Sequence, residues 1–282
     1  MTSHDVVAIA RRSLKTKKVG HAGTLDPMAT GVLVLGFGNG TRLLQYITEG
    51  SKSYDATMVL GASTVTDDSE GNVLRSAPLE KIADTSDKAI KDELAKMRGK
   101  IMQRPSSVSA IKVDGERAHA RVRAGEEFEL PPREVTISRL DVGEIHRPEG
   151  SGRIEVDIRV VCGAGTFIRA IARDCGERLG IGGHLIALRR TRVAPFDLSQ
   201  AISVEDLKNG EFEPLSIAKV AAKTFPQREV TLSEMIELSF GRPLSESDTD
   251  EITAAMSGEE LVALLQNRDN QARPIAVFAA KS

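Results

Sequence analysis

The sequence of 282 residues has no tryptophan and contains only two tyrosines and two cysteines. Cys162 and Cys175 do not form a CxxC pair, and the five histidines show neither HExxH spacing nor another pairing typical of metal ligands. These absences argue against a metal site, so catalysis, if there is any, is expected to depend on ordinary side chains.

Long hydrophobic runs are also absent. No segment approaches the roughly 20 apolar residues that a membrane helix needs, and the N-terminus lacks the pattern of a signal peptide. We therefore expect a cytoplasmic protein. A chain of this length that is 40% hydrophobic and 28% charged is typical of one large globular domain, or of a large domain with a small one.

Positive and negative charges nearly balance overall, but they are unevenly distributed along the chain. The net charge is −2, yet residues 6 to 25 carry cations and no acid, residues 98 to 123 are strongly basic, and residues 246 to 260 carry six carboxylates and no cation. The first and third basic clusters are Arg11, Arg12, Lys15, Lys17 and Lys18, and Arg189, Arg190 and Arg192. Each run could be a solvated face, but together they favour a polyanion as partner.

Apolar periodicity predicts a mixed fold. The segments "SYDATMVLG" and "GRIEVDIRVV" alternate as strands, whereas "TFIRAIARDCGERLG" has the period of a helix that ends at Gly180, with Arg169 and Arg173 off its apolar face. A second helix is predicted over 88–97. Because strands and helices do not alternate regularly, we expect an α+β fold with a mixed, largely antiparallel sheet and flanking helices.

A change of pattern near residue 213 predicts a second domain. Thr231 and Glu234 form a capping-box pattern, and "ELVALLQ", the turn "NRDNQ" and "ARPIAVFAA" are typical of a hairpin. We therefore predict a catalytic domain over residues 1–212 and a small β-rich domain over 213–282.

The segment "GHAGTLDPMATG", residues 20 to 31, presents one carboxylate between glycines. Pro27 biases Asp26 toward an extended backbone, and the glycines permit close approach by a large substrate, although an ordinary Asp-Pro turn is the alternative. A carboxylate that attacks an electrophile must stay ionised, which requires a fixed cation. Arg169 in "GAGTFIRA" is the candidate, and its alternative is a surface helix arginine.

Two further residues are candidates for contact with a base. His21, five residues before Asp26, could stack on a base or fill the gap left by a displaced one, and its alternative is a capping or turn histidine. Tyr54 follows Lys52 at the start of a predicted strand, where a core role is the alternative. The nearby "GFGNGTR" lacks GxGxxG spacing and is interpreted as a strand end and turn rather than a dinucleotide site.

Five blocks resemble, in order and separation, the TruB family of tRNA pseudouridine synthases. These blocks are "TSHDVV", "VGHAGTLDPMATGVLVLGFGNGTRLL", "KSYDATMVLGASTVTDDSEG", "SAIKVDGERAH" and "CGAGTFIRAIARDCGERLGIGGHLIALRRTRVAPF". The resemblance covers residues 2 to about 196, and the C-terminal segment is similar to the PUA-like domain of that family.

The resemblance implies an isomerase that converts the T-loop uridine-55 of tRNA to pseudouridine, acting on the T-arm without cofactor or metal. A monomer is the default expectation for a two-domain enzyme that binds one RNA arm. It implies that Asp26 is the catalytic aspartate, that Tyr54 packs against the target base, that Arg169 pairs with the aspartate and that His21 lies beside the flipped nucleotide. Asp26 would attack ribose C1′ or assist loss of the C2′ proton, and both routes stay open. The RNA-binding residues implied are His21, Gly20, Arg11, Arg12, Lys15, Lys17, Lys18, Lys52, Lys112, Leu188, Arg189 and Arg190.

The chain departs from the family pattern at three places. Met1 directly precedes Thr2, where relatives usually have a strand and a Lys-Pro-Gly-like turn, so we expect a chain that is truncated or starts late, with a less stable first sheet edge and without the lysine contact made there. Ser106 and Val108 replace a proline and an aromatic residue, and Phe167 replaces a common tyrosine. Three other functions remain as alternatives: a tRNA-binding or folding factor without turnover, a guide-RNA-dependent rRNA pseudouridylase, and a hydrolase that uses Asp26 on a small glycoside.

Overall fold

The computed structural model describes residues 1–106, the short strands at 112–113 and 116–117, and residues 130–278. Val108, Arg121 and Arg123 lie outside the described residues, as does the side chain of Lys112. None of the helices within these ranges has the length and apolar character that a membrane crossing requires.

The chain forms two compact units that do not follow sequence order. The first, here called the terminal unit, comprises Met1–Thr24, Leu33–Thr48 and Ala194–Ser282, and the second, the sheet unit, comprises Leu25–Val32 and Glu49–Val193. The boundary that the sequence places between residues 212 and 213 stays a prediction.

The sheet unit is built on one mixed, mainly antiparallel sheet. Its strands follow the spatial order Gly183–Val193, Lys52–Leu60, Ile154–Cys162, Arg133–His146 and Gly99–Gln103. These neighbours are antiparallel, whereas Thr30–Gly31 pairs in parallel with Gly183–Val193. Two hairpins complete the strands: Ala62–Thr64 with Val73–Ser76, and Lys112–Val113 with Glu116–Arg117.

Alternation places one face of this sheet in the core. Ile154, Val156, Ile158 and Val160 are buried at every second position, as the period-two pattern predicts. Among the described residues of this unit, the helices are Leu79–Asp84, Asp87–Ala95 and Ile168–Leu179. The last two confirm the predicted helices.

The helix Ile168–Leu179 approaches the sheet closely because its sequence contains a glycine at the contact. A Cβ on Gly176 would lie 2.1 Å from the carbonyl carbon of Gly182, so no larger residue fits there. The helix ends at Gly180, whose φ of +69° is the left-handed conformation that favours glycine. This packing fixes the position of Arg169, one residue into the helix.

The terminal unit contains the C-terminal sheet that the sequence predicts. Its strands follow the order Gln227–Glu229, Thr253–Ser257, Glu260–Arg268, Gln271–Val277 and Leu244–Ser245. The predicted hairpin is confirmed by the antiparallel pairing of Glu260–Arg268 with Gln271–Val277, and the capping box of Thr231 and Glu234 is present. The helices are Ser3–Ser13, Leu44–Glu49, Val204–Asn209, Ile217–Thr224 and Leu232–Ser239.

The remaining elements of the terminal unit are short. Val19–His21 pairs with Leu35–Phe37, and "GFGNGTR" forms the end of that second strand followed by a 3₁₀ helix, Gly38–Leu43. Further along are the strand Phe196–Asp197 and the 3₁₀ helix Leu198–Gln200. The mixed α+β fold with a β-rich C-terminal region agrees with the sequence prediction.

Candidate active site

Asp26 lies in a short segment that is fixed to the main sheet. Its carbonyl accepts a hydrogen bond from the Ala29 amide at 2.9 Å, and the following Thr30–Gly31 strand pairs with Arg189 and Arg190. The turn therefore presents the Asp26 side chain, which is 30% exposed, while the backbone beyond it is held in the sheet.

The side chain of Arg169 forms a bidentate ion pair with Asp26. Its Nε donates to Asp26 Oδ2 at 3.0 Å and its Nη2 donates to Oδ1 at 2.9 Å. The arginine side chain is only 5% exposed, so it is not the surface helix arginine that residue chemistry alone favours. A bidentate guanidinium stabilises the ionised carboxylate and fixes the direction in which it points.

Asp68 holds the opposite side of Arg169. Nη1 of the arginine donates to the Thr66 carbonyl at 2.7 Å and lies 3.3 Å from Asp68 Oδ2. Asp68 is itself buried, and its Oδ1 accepts hydrogen bonds from the Thr66 hydroxyl and from the Glu70 amide. The guanidinium is thus fixed between two carboxylates, and only Asp26 is open to a substrate.

A second acid-arginine pair lies beside the first. Arg173, one helical turn after Arg169, donates to Asp67 Oδ2 at 3.1 Å and to the Arg104 carbonyl at 2.6 Å. Asp67 has φ +58°, a left-handed backbone that is uncommon for a residue with a side chain. The consecutive acids Asp67 and Asp68 are therefore each bound by a different arginine of one helix.

These two pairs correct the prediction that both arginines lie off the buried face of their helix. Arg169 and Arg173 are buried, because the loop that follows the strand Ala62–Thr64 supplies the carboxylates that cover them. Sequence reasoning missed Asp67 and Asp68. The signal available was two adjacent acids in "TDDSEG" and two arginines spaced i and i+4 in "IRAIAR".

Tyr54 is the third residue of the strand Lys52–Leu60, and it lies near Asp26. It is half-buried, and burial raises the pKa of its hydroxyl, with the Cys162 thiol and the Asp26 carboxylate acting in the same direction. Arg190 donates a hydrogen bond to the hydroxyl and opposes the rise. Tyr54 is therefore a neutral phenol at physiological pH, close enough to Asp26 for the charge of the carboxylate to act on its hydroxyl.

The other predicted RNA-binding residues fall into an exposed and a less accessible group. Arg11, Arg12, Lys15, Lys17, Lys18 and Arg189 are exposed, and Gly20 and His21 are partly exposed in the strand Val19–His21. Lys52, Leu188 and Arg190 are buried, and the Lys52 amine donates to the Gly50 carbonyl. RNA cannot reach the Lys52 and Arg190 cations in this conformation, and all of these contacts stay predictions.

His21 belongs to the terminal unit, whereas Asp26 belongs to the sheet unit. Its ring meets the ring of His4 edge to face, with 5.9 Å between the ring centres. The sequence singled out His21 without His4, because only the fold shows that the helix Ser3–Ser13 brings its first turn to this strand.

The described residues contain no cluster of three or more histidine, cysteine or acidic side chains that could hold a metal ion. An open depression of about 650 Å³ lies on the sheet among Thr57, Asp157 and Arg189, but Asp26, Tyr54 and Arg169 do not line it. The site is therefore defined by its ion-pair geometry and not by that depression.

Three family models match successive parts of the chain. The TruB family pseudouridylate synthase N-terminal domain matches residues 11–168, the tRNA pseudouridylate synthase B C-terminal domain matches 169–213, and the tRNA pseudouridine synthase II C-terminal model matches 225–279. The chain belongs to the TruB family. The resemblance stated from the sequence motifs is thereby confirmed.

Curated members of the TruB family match over almost their whole length. A tRNA pseudouridine synthase B of Corynebacterium diphtheriae is 48% identical over 282 residues, which cover 100% of this chain and 93% of that protein. A protein of the same name from Arthrobacter sp. strain FB24 is 51% identical, over 99% of this chain and 93% of that protein.

Solved structures share the fold at lower identity. A chain of an H/ACA RNP bound to a substrate RNA containing 2′-deoxyuridine has a TM-score of 0.71 at 23% identity, covering 100% of this chain and 82% of that one. A chain of a Cbf5-Nop10-Gar1 complex has a TM-score of 0.70 at 26% identity, covering 100% and 81%. The fold of this TruB chain is thus the pseudouridine synthase fold.

Proposed function

We propose that this chain is a tRNA pseudouridine synthase that isomerises the uridine at position 55 in the T-loop of tRNA. The observation that carries the proposal is the Asp26 carboxylate, which the buried Arg169 holds at two points and whose charge acts on the Tyr54 hydroxyl. Relatives named tRNA pseudouridine synthase B, at 48% and 51% identity over nearly the whole chain, support the choice of substrate.

The reaction requires an ionised carboxylate beside the ribose. The bond between base N1 and ribose C1′ breaks, the uracil turns while bound, and C5 bonds to C1′ as its hydrogen leaves and N1 takes up a proton. Asp26 either attacks C1′, as the nucleophile of a retaining glycosidase does, or removes the C2′ proton to form a glycal. In both routes the two hydrogen bonds from Arg169 fix the direction in which the carboxylate points.

Tyr54 acts in its neutral form. Because burial and the charge of Asp26 raise the pKa of the hydroxyl, a phenolate does not form beside the carboxylate at physiological pH. We propose that the ring packs against the uracil while the base turns, and that the hydroxyl helps to relay the proton that leaves C5. Packing also excludes water, which would otherwise hydrolyse the intermediate to an abasic site.

Binding must supply the energy that extrudes the target nucleotide. Unstacking and flipping a base costs a few kcal/mol, and contacts between cations and phosphates are the usual compensation. The exposed run of Arg11, Arg12, Lys15, Lys17 and Lys18 and the exposed Arg189 are proposed to contact the T-arm backbone. A monomeric, cytoplasmic enzyme that binds one tRNA arm fits this arrangement.

The test is tritium release from unmodified tRNA that carries 5-tritiated uridine, with the purified chain and no guide RNA. We expect release from a single uridine per tRNA, and none from a transcript with cytidine at position 55. Asp26→Asn should lower the rate by about 10³-fold or more while retaining tRNA affinity. Asp141→Asn, a change of the same chemistry on the strand Arg133–His146, is the matched control.

The two alternative functions that involve RNA give different results in this assay. Tight tRNA binding with no release from the unaltered chain would indicate a binding or folding factor. Release that needs an added guide RNA would indicate a guide-dependent enzyme. Release that persists in Asp26→Asn at the original rate would remove Asp26 from the reaction.

A further inference from the structure

Arg190 is the most unusual charged residue near the site because its side chain is 1% exposed. It lies on the strand Gly183–Val193, next to the exposed Arg189. Removing a guanidinium from water is costly unless its N–H groups find acceptors. The acceptors that Arg190 uses therefore indicate its role.

One set of contacts attaches Arg190 to the segment that carries Asp26. Its Nε donates to the Val32 carbonyl at 2.7 Å, and its own carbonyl accepts from the Val32 amide at 2.8 Å. Gly31 pairs with Arg190 in the parallel register, and a Cβ on Gly31 would lie 2.1 Å from the Arg190 carbonyl oxygen. Arg190 thus fixes the chain at Gly31 and Val32, five and six residues beyond Asp26, through both backbone and side chain.

The other contact attaches Arg190 to Tyr54. The two residues are direct partners in the antiparallel pairing of Gly183–Val193 with Lys52–Leu60, so their side chains stand on the same face of the sheet. The guanidinium donates a hydrogen bond to the Tyr54 hydroxyl. One planar side chain therefore contacts both the segment after Asp26 and the hydroxyl of Tyr54.

We propose that Arg190 is a positioning residue, which sets the Tyr54 ring relative to Asp26 through simultaneous hydrogen bonds to the Tyr54 hydroxyl and the Val32 carbonyl. This inference rests on the proposed function, and it replaces a direct contact between Arg190 and RNA. Lysine cannot take over the role, because its single ammonium lacks the two separated donor sites of the guanidinium fork.

The contact can be measured without RNA. The chain has two tyrosines, so incorporation of 3-fluorotyrosine gives two fluorine signals, which the variant Tyr46→Phe assigns. Arg190 favours the ionised form of Tyr54, so Arg190→Gln should move the Tyr54 titration to higher pH by about half a unit to one unit. The Tyr46 signal should not move, whereas general loosening of the fold would move both.

Kinetics separate positioning from RNA binding. Arg190→Gln should lower kcat for tritium release by about 10²-fold, because small displacements of reacting groups have effects of that size, with an unchanged Kd for tRNA. Arg189→Gln, the exposed neighbour on the same strand, is the matched control and should raise the Kd. If Arg190→Gln instead raises the Kd at unchanged kcat and leaves the Tyr54 signal in place, the positioning role is wrong.

Arg190→Lys provides the second variant, since it retains a buried cation where the glutamine variant could fail to fold. It should move the Tyr54 signal in the same direction and lower kcat, and full activity in this variant would overturn the inference. Failure of the proposed function is distinguishable, because it would remove tritium release from the unaltered chain and leave the fluorine experiment intact.

Discussion

At the scale of single residues, Asp67 shows that burial can outweigh an ion pair. Its carboxylate accepts hydrogen bonds from Arg173 and from Ser106, the residue that replaces a family proline, and both favour the charged form. Burial nevertheless dominates and raises the pKa of the Asp67 carboxyl. The folded chain therefore holds this proton to a higher pH than the unfolded chain does.

The raised pKa of Asp67 predicts how the substitution Asp67→Asn changes the stability of the fold with pH. The contribution of Asp67 to the free energy of unfolding is full below its unfolded pKa, near 3.9, and is lost as pH rises through the raised folded value. Asparagine lacks this titration, so the unfolding free energy of the variant minus that of the parent should increase between pH 4 and pH 7. Urea unfolding of both proteins at several pH values measures this difference in unfolding free energy.

Asp84→Asn, at an exposed helix end, is the matched control for this titration. Its unfolding free energy relative to the parent should not follow the trend of Asp67→Asn. A difference for Asp67→Asn that falls as pH rises would mean that the ion pair with Arg173 outweighs burial.

The residues proposed to be catalytic were identified from the motifs, but their surroundings were not. The blocks around Asp26, Tyr54 and Arg169 identify the family, and the structure brings these three side chains into one site. Residue chemistry alone left Asp26 as a possible turn and Arg169 as a surface residue. Asp67 and Asp68 could not be assigned, because no local pattern states which buried arginine an acid faces.

Among the secondary-structure elements, the two-residue strand Thr30–Gly31 is short, but it holds the Asp26 segment in place. It joins the Asp26 segment to the main sheet in parallel register with Arg189 and Arg190. Gly31 has φ +99°, and the space that a Cβ would need is already filled by the Arg190 backbone. Only glycine satisfies both conditions.

We predict that Gly31→Ala lowers the free energy of unfolding by about 3 kcal/mol or more and strongly reduces tritium release. The matched control is Gly99→Ala, which also has a positive φ, +85°, but meets nothing within 4 Å. Gly99→Ala should lower the free energy of unfolding only by the cost of a left-handed backbone for alanine, about 1 to 2 kcal/mol, and the variant should keep its activity. Equal losses in thermal unfolding would show that the contact with Arg190 has no energetic weight.

Elements with a clear period were predicted well, whereas contacts made by short or loop segments were not. The strand Ile154–Cys162 and the helix Ile168–Leu179 follow from their apolar spacing. Thr30–Gly31 has no spacing to read, since two residues define no period. The same limit explains why Arg173 was predicted to lie off the buried face of its helix. Periodicity describes the helix alone and carries no information about the loop that covers the arginine.

At the scale of the whole molecule, the net charge of −2 conceals exposed regions of opposite sign. The five cations of the basic run near the N-terminus are exposed. The six carboxylates between residues 246 and 260 are also exposed. Since phosphate contacts release counterions from RNA, local cations and not net charge determine how binding responds to salt.

We predict that the triple variant Arg12→Gln, Lys17→Gln, Lys18→Gln weakens tRNA binding and flattens its salt dependence. Each lost phosphate contact should reduce the slope of log K against log salt by about 0.7 to 0.9. The matched control, Lys88→Gln, Lys91→Gln, Lys96→Gln, removes the same charge from exposed positions in and directly after the helix Asp87–Ala95.

Filter binding over a series of salt concentrations decides between local and overall charge. An unchanged slope in the control with a flattened slope in the first variant assigns the contacts to the N-terminal run. Equal changes in both variants would show that only overall charge matters. The kcat of the first variant at saturating tRNA should be retained, because none of its three residues belongs to the group of Asp26, Arg169 and Tyr54, so binding and chemistry are separable in this chain.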